Sequence, residues 1–526
     1  MGRGAIAAQL EETKVKVLER YTLLGKPLVQ AVIVEDPEGR GYYNVVEPKL
    51  DTEVRRGSFN DLMDMVSKDL LLLDRVNSSQ SIEKAFQLLF PVALTIVRER
   101  VKKSPLRRKP KDLEAKVQEA AEAVAYEAAK ELVGYGAIDP LIRDPFIEDI
   151  SCNGVGIPVF VYHTKYEWLT TNIVIGDARY LESLVSKLGV RSGKEPSVAT
   201  PIVEGVLRPE GYRVNIVLGT VSRHGPQFTI RKFRSEPYTI IELLRRGTLD
   251  PRVGALLWMA VEAKQGIIFY GPTGSGKTTL LNAVTMLVPT EFKIVTAEDT
   301  PEIFLPFHEN WGAMVTRLST DERVQNVTLQ AQVEAALRQR PDIIIIGEIR
   351  SREAFAFFQA LSTGHGGLTT VHAESADVLI KRLKSPPMNV PASLIATARL
   401  FVNIMRVEKG TDVVRRVIRV HESLRYNPDL DDVELQEIML WDPETDAWKI
   451  LNRNLNTLRV IADLKLMTYE EAIEDLRRRA TVLSWLSTTN ADIATLHAVT
   501  RMYRRDPESV YKRALAEVKE YELRFI

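Results

Sequence analysis

The sequence predicts an α/β protein: a domain built on a mainly parallel sheet, a smaller α/β domain ahead of it, and helical additions towards both ends. Three observations carry this reading. Between residues 250 and 410, apolar runs that read as buried strands alternate with helical patterns, as a parallel sheet with crossover helices requires. Residues 135 to about 235 carry shorter β-branched runs, "PVFVYH", "YRVNIVL" and "QFTIRKF", separated by Gly, Pro and Asn turns, with one helix expected near 178–189. Apolar stripes near the 3.6-residue helical period fill "FNDLMDMVSKDLLLLDRV", "SIEKAFQLLFPVALTIVRERV" and "LEAKVQEAAEAVAYEAAKELV", and helical segments rich in Arg and Glu run from 468 onward.

In chain order this gives an N-terminal extension with a helical bundle over 1–125, an α/β domain over 126–236, and a proline-punctuated linker over 237–249. The larger α/β domain spans 250–460, closing with strand-like runs after 410, and a helical region spans 461–526. The first 60 or so residues mix short apolar runs with charged turns such as "EDPEGRG" and receive no chemistry. In "RERVKKSPLRRKPKDLEAK" eight basic residues, Arg98 to Lys111, crowd around two prolines; this reads as a solvated linker or as a surface for acidic lipid, a partner or nucleic acid.

Composition bounds the function. The 526 residues carry 70 Lys plus Arg against 70 Asp plus Glu, so global charge favours neither nucleic acid nor an acidic membrane. Cys152 is the one cysteine, which excludes an internal disulfide and a four-cysteine zinc site and fits a reducing cytoplasm. A secretory leader and a membrane span are both missing from the hydropathy pattern, so a cytoplasmic chain is expected.

The strongest chemical signal is "GIIFYGPTGSGKTTLLNAV". An apolar run leads into Gly271, Pro272, Thr273, Gly274, Ser275, Gly276, Lys277, Thr278 and Thr279, and a helical pattern starts at once. Glycines let successive N–H groups curl around phosphates, the helix N-terminus adds partial positive charge, Lys277 adds a full one, and the Thr278 hydroxyl suits Mg²⁺. The strand of "RPDIIIIGEIR" delivers Glu348, a candidate to hold Mg²⁺ through water. That of "KIVTAEDTPEIFLP" ends in Glu298, Asp299 and Glu302, of which Glu302 is the choice for a general base. "TGHGGLTTVH" sets His365 and His372 at either end of a small flexible stretch, and without an intervening carboxylate or thiol the pair lacks ligands for zinc.

These motifs stand in an order that resembles the traffic ATPases of type II and type IV secretion, type IV pili and archaella. "GYGAIDPLIRDPFIEDISCNG", "VFVYHTKYEWLTTNI" and "LRPEGYRVN" are similar to the family's N-terminal domain, and "RRATVLSWL" with "RMYRRDPESVYK" to the C-terminus of its archaeal branch. The resemblance covers residues 125 to 526, and the missing four-cysteine zinc motif of many bacterial members points the same way.

The resemblance implies a RecA-like ATP-hydrolysing domain using ATP and Mg²⁺, with no zinc, in a homo-hexamer. It further implies a polytopic membrane platform protein as partner and peripheral attachment to the inner face of the membrane. His372 would hydrogen-bond the γ-phosphate or Glu348 and report whether phosphate is present. Arg208, Arg213 and Arg231 match the strand pair that faces a neighbouring site, with Arg213 and Arg231 as candidates to act in trans. A nucleic-acid motor is the rival reading, although nucleic acid is not the expected partner.

Overall fold

Two nine-stranded sheets organise the computed structural model, one in each of two units, Met1–Arg234 and Ser235–Ile526. It describes residues 15–79, 81–102, 113–232, 237–317, 323, 325–410, 412–452 and 454–521.

In the first unit the strands are β1 (Lys16–Leu24), β2 (Val29–Glu35), β3 (Gly41–Val46), β4 (Ile147–Cys152), β5 (Pro158–His163), β6 (Glu167–Val174), β7 (Ile202–Leu207), β8 (Tyr212–Val217) and β9 (Gln227–Arg231). Their order is β1-β2-β3-β6-β5-β4-β9-β8-β7, and only the β3–β6 pair is parallel. The helices are α1 (Glu53–Lys68), α2 (Leu70–Asn77), α3 (Ile82–Lys102), α4 (Leu113–Leu132), α5 (Asp139–Arg143) and α6 (Ala178–Ser192).

The early residues that received no chemistry thus form three strands, and pairing of β3 with β6 carries the sheet across residue 125. Buried Asp144 fastens them, accepting from the Tyr21 and Tyr43 hydroxyls at 2.6 and 2.5 Å. Of the basic stretch at 98–111, Arg98, Arg100 and Lys102 are ion-paired with Glu114, Asp61 and Glu99. The remaining basic residues of that stretch lie outside the described residues.

The second unit opens with α7 (Ile240–Arg245) and α8 (Pro251–Glu262), then alternates: β10 (Gly266–Gly271), α9 (Lys277–Thr285), β11 (Ile294–Glu298), β12 (Trp311–Val315), α10 (Leu329–Leu337), β13 (Ile343–Ile346), α11 (Glu353–Ser362), β14 (Gly366–His372), α12 (Ala376–Lys384), α13 (Ala392–Ile395) and β15 (Ala398–Lys409). An antiparallel meander follows, β16 (Asp412–Asn427), β17 (Asp432–Asp442) and β18 (Ala447–Ile450), and then α14 (Asn456–Lys465), α15 (Tyr469–Thr488), α16 (Ile493–Arg505) and α17 (Pro507–Glu517).

Strand order is β12-β11-β13-β14-β10-β15-β16-β17-β18, parallel from β12 to β15. Both faces of the parallel part are buried, which explains its unbroken apolar runs. Ile267, Phe269, Ile343 and Ile345 join one core with α8, α9 and the C-terminal helices, while Ile268, Tyr270, Ile344 and Ile346 join another with α10 to α12. This is the mainly parallel α/β sheet the sequence predicts, with helices on both faces. Among the described residues no helix is long and apolar enough to cross a membrane.

Arg479 pins the C-terminal helices to α8. Its guanidinium is buried against the rings of Trp258 and Tyr503, 4.5 and 4.9 Å from their centroids, and pairs with Glu262 at 2.8 Å and Asp475 at 3.0 Å. Among the described residues, removing it leaves Glu262 with only Lys465 and the Trp258 N–H, and Asp475 with only the Tyr503 hydroxyl, and broken buried pairs cost about 3–5 kcal/mol. Arg479→Ala is therefore expected to lower the unfolding free energy by that order in chemical unfolding of the full chain, while Arg477→Ala, half-buried on the same helix, changes it by about 1 kcal/mol or less.

Candidate nucleotide-binding site

Parallel strands of this sheet deliver the chemistry at one edge. Gly271 ends β10, Glu298 ends β11, Gly347 and Glu348 follow β13, and His372 ends β14, paired in register with Gly271. Open α/β sheets bind ligands at the C-terminal ends of their strands.

The loop from Gly271 to Gly276 is shaped by close approach. A Cβ at Gly271 would lie 2.1 Å from the Ile404 carbonyl oxygen, so only glycine fits. Gly276 sits at φ +97°, in the left-handed region that favours glycine. It caps α9 without a side-chain hydrogen bond, so the first N–H groups of the helix carry no side-chain partner. The Ser275 hydroxyl oxygen is buried and lacks a hydrogen-bond partner among the described residues. A polyphosphate suits such a cradle, since it would supply acceptors to these donors.

Lys277, Thr278 and Thr279 form the first turn of α9, with Lys277 turned into the protein. Its ammonium donates to the Pro272 carbonyl at 2.8 Å and stands 3.2 Å from His372 Nδ1. Burial lowers its pKa from the ordinary lysine value, Glu348 and Glu302 oppose that, and Arg350 adds to it. Because a protonated lysine only donates, Nδ1 of His372 accepts and Nε2 carries the proton. That nitrogen lies 2.8 Å from Glu348 Oε1 but without hydrogen-bond alignment, so Oε1 is a buried acceptor left open among the described residues, while the Arg350 guanidinium donates to Glu348 Oε2 at 2.6 Å. Burial also lowers the His372 pKa, against the opposing pull of Glu348, which keeps the imidazole neutral at pH 7. The result is a four-residue chain, Lys277, His372, Glu348 and Arg350, running across three strand ends.

Supporting contacts set its geometry. Thr370 donates its hydroxyl to the Gly347 carbonyl at 2.8 Å, and the Glu353 carboxylate accepts from the Arg350 and Ser351 amides, both at 2.6 Å. Arg382 donates to the His372 carbonyl at 2.8 Å. Asn282 of α9 donates to the Glu302 carbonyl at 3.3 Å, and the Glu302 carboxylate is half-buried with no hydrogen bond among the described residues.

The structure separates the two histidines. His365 precedes β14 and meets Thr363 and the Ala360 carbonyl at the end of α11, whereas His372 stands at the far end of that strand, roughly 20 Å away at strand rise. Arg213 and Arg231 belong to the first unit, directly opposite one another on β8 and β9, with Arg231 paired to Asp149 at 3.1 Å. Arg208 is exposed beyond β7. Sequence reading named Glu298 without choosing it and missed Arg350, Arg382 and Arg415. The "GEIR" spacing could have flagged Arg350, but Arg382 and Arg415 arrive from a helix and a hairpin that carry no local signal.

The type II/IV secretion system protein model matches residues 206–418. An uncharacterised protein of Methanocaldococcus jannaschii is 34% identical over 454 residues, covering 85% of this chain and 82% of that one. The chain belongs to the type II/IV secretion traffic ATPase family. The type IV secretion system protein PtlH homolog of Bordetella bronchiseptica, a further relative of this family member, is 38% identical over 244 residues, 40% of this chain and 72% of its own. Among solved structures, the VirB11 ATPase of the Brucella suis type IV secretion system, in complex with sulphate, is 25% identical, covers 59% of this chain and 94% of its own, and superposes with a TM-score of 0.27.

One acid of this family member is electrostatically out of place. Glu298 is buried, its Oε1 accepts from the Glu302 and Ile303 amides at 2.8 and 2.9 Å, and burial still pushes its pKa up from 4.5 to about 7. Between those values the folded chain holds a proton that the unfolded chain has released, so stability falls as pH rises from about 4.5 to 7. Glu298→Gln keeps the acceptor oxygen and removes the titration. The variant is expected to gain on wild type across that window, by a total of about 3 kcal/mol, in denaturant melts taken from pH 4.5 to 8.

Proposed function

We propose that this chain hydrolyses ATP with Mg²⁺ as a homo-hexameric ring and passes the resulting motion to a polytopic protein of the membrane. Its service is assembly of a type IV pilus-like filament or archaellum, or type II/IV-like secretion. The observation that carries the reading is the Lys277–His372–Glu348–Arg350 chain set beside an uncapped helix N-terminus. We read 250–460 as the RecA-like motor, 126–236 as the domain that moves against it, and 237–249 as the linker. Residues 1–125 and 461–526 are read as additions at either end, with the whole at the cytoplasmic face of the membrane.

Lys277 and the N–H groups opening α9 grip the β- and γ-phosphates. Thr278, with Glu348 acting through water, suits Mg²⁺, which when bound offsets phosphate charge. Glu302, its carboxylate uncommitted, orients the attacking water and takes its proton. His372 couples the two sides: a γ-phosphate that draws Lys277 away removes the donor to Nδ1 and frees the imidazole that stands against Glu348. Arg213 and Arg231, two cations on one face of β8 and β9, are read as charge supplied to a neighbour's site.

Lys277→Ala is expected to abolish turnover and weaken nucleotide binding. Glu302→Gln is expected to bind ATP within a few fold of wild type yet hydrolyse it at least about 100-fold more slowly, in single-turnover assays with a binding control. Normal turnover by Glu302→Gln, with loss in Glu348→Gln, moves the base to Glu348.

If either arginine acts in trans, mixing Arg213→Ala or Arg231→Ala chains with Lys277→Ala chains restores activity that neither has alone. Mixed rings then hold sites with both parts intact. The check is ATPase activity after subunit exchange has been demonstrated by mass or fluorescence transfer. No rescue places both arginines outside a trans role.

A further inference from the structure

The phosphate loop has neighbours on both sides. β14 and β13 bring His372 and Glu348 from one flank; β15, the partner of β10 on the other flank, turns into β16 and brings Arg415. The Arg415 Nε donates to the Gly274 carbonyl at 3.3 Å, and its Cδ lies 3.2 Å from where a Cβ of Gly276 would stand. The side chain therefore runs along the loop backbone at the N-terminus of α9. Its two terminal nitrogens have no partner among the described residues, and no carboxylate there pairs with it.

The partial positive charge at the N-terminus of α9 adds to the field of the Arg415 guanidinium, and Lys277 stands at the same helix end. An anion laid against the loop would meet all three.

We propose that Arg415 is a nucleotide-contacting residue, its terminal guanidinium nitrogens donating to the α- and β-phosphates from the β15–β16 flank. The γ-phosphate end belongs to the opposite flank, where His372 and Glu348 stand. This assignment rests on the nucleotide-site reading above and adds a second, γ-independent grip to it. Arg415 on this account sets affinity for ADP and ATP alike, whereas the His372 flank distinguishes them.

The test measures dissociation constants of the full chain for ADP and for a non-hydrolysable ATP analogue, by calorimetry, for wild type, Arg415→Ala, Arg415→Gln and Arg415→Lys. Thermal melts without nucleotide establish that each variant folds. Gln keeps an N–H donor for the Gly274 carbonyl but no charge, so it separates a strut for the loop from a phosphate contact. Charge-assisted contacts of this kind correspond to about 10-fold or more in affinity. The expected result is a loss of that order in both Ala and Gln, equal for ADP and the ATP analogue, with Lys retaining more affinity than Gln.

Binding by Ala or Gln within about three-fold of wild type overturns the proposal, as does a loss confined to the ATP analogue. A wild-type chain that binds neither nucleotide overturns the site reading itself. The two failures are thus distinct.

Discussion

A lysine ammonium withdrawn from water is the constraint on which the site depends. Lys277 has to remain charged to hold phosphate, yet burial pushes it towards neutrality, so the fold must supply opposing charge without letting that charge seize the lysine. The solution is distance and an intermediary. Glu348 lies one imidazole away, and the neutral His372 accepts from Lys277 on one nitrogen while presenting the other to the carboxylate. Arg350 holds the other carboxylate oxygen, which leaves Oε1 beside the imidazole as a buried acceptor without a hydrogen bond among the described residues.

That arrangement explains why so many strands end together. Register matches Gly271 to His372 and Ile346 to Thr369, so a one-residue slip in either pairing would turn His372 or Glu348 away from the loop. Glu298 is the cost of the same design: an acid at the end of β11, capped by two amides but buried enough to favour its protonated form.

Much of this was legible because local patterns and tertiary needs agree. The phosphate loop reads as strand, glycine turn and helix, and the four-isoleucine run announces a strand covered on both faces. His372 and Glu348 were identifiable singly, but their contact depends on strands that are neighbours in space and not in sequence. Arg415 and Arg382 reach the site from β16 and α12, and no periodicity encodes that. The three N-terminal strands were hidden for another reason. β2 is buried along most of its length and so lacks a clear alternation, and β3 finds its partner β6 more than a hundred residues later.

The central claim is that His372 and Glu348 act as one unit in hydrolysis. A double-mutant cycle on the single-turnover rate tests it most directly, using His372→Ala, Glu348→Gln and the combination. A coupled pair gives a double variant scarcely slower than the worse single variant, with a coupling energy of about 2 kcal/mol or more. Rate losses that multiply, leaving coupling within about 0.5 kcal/mol of zero, would contradict the account.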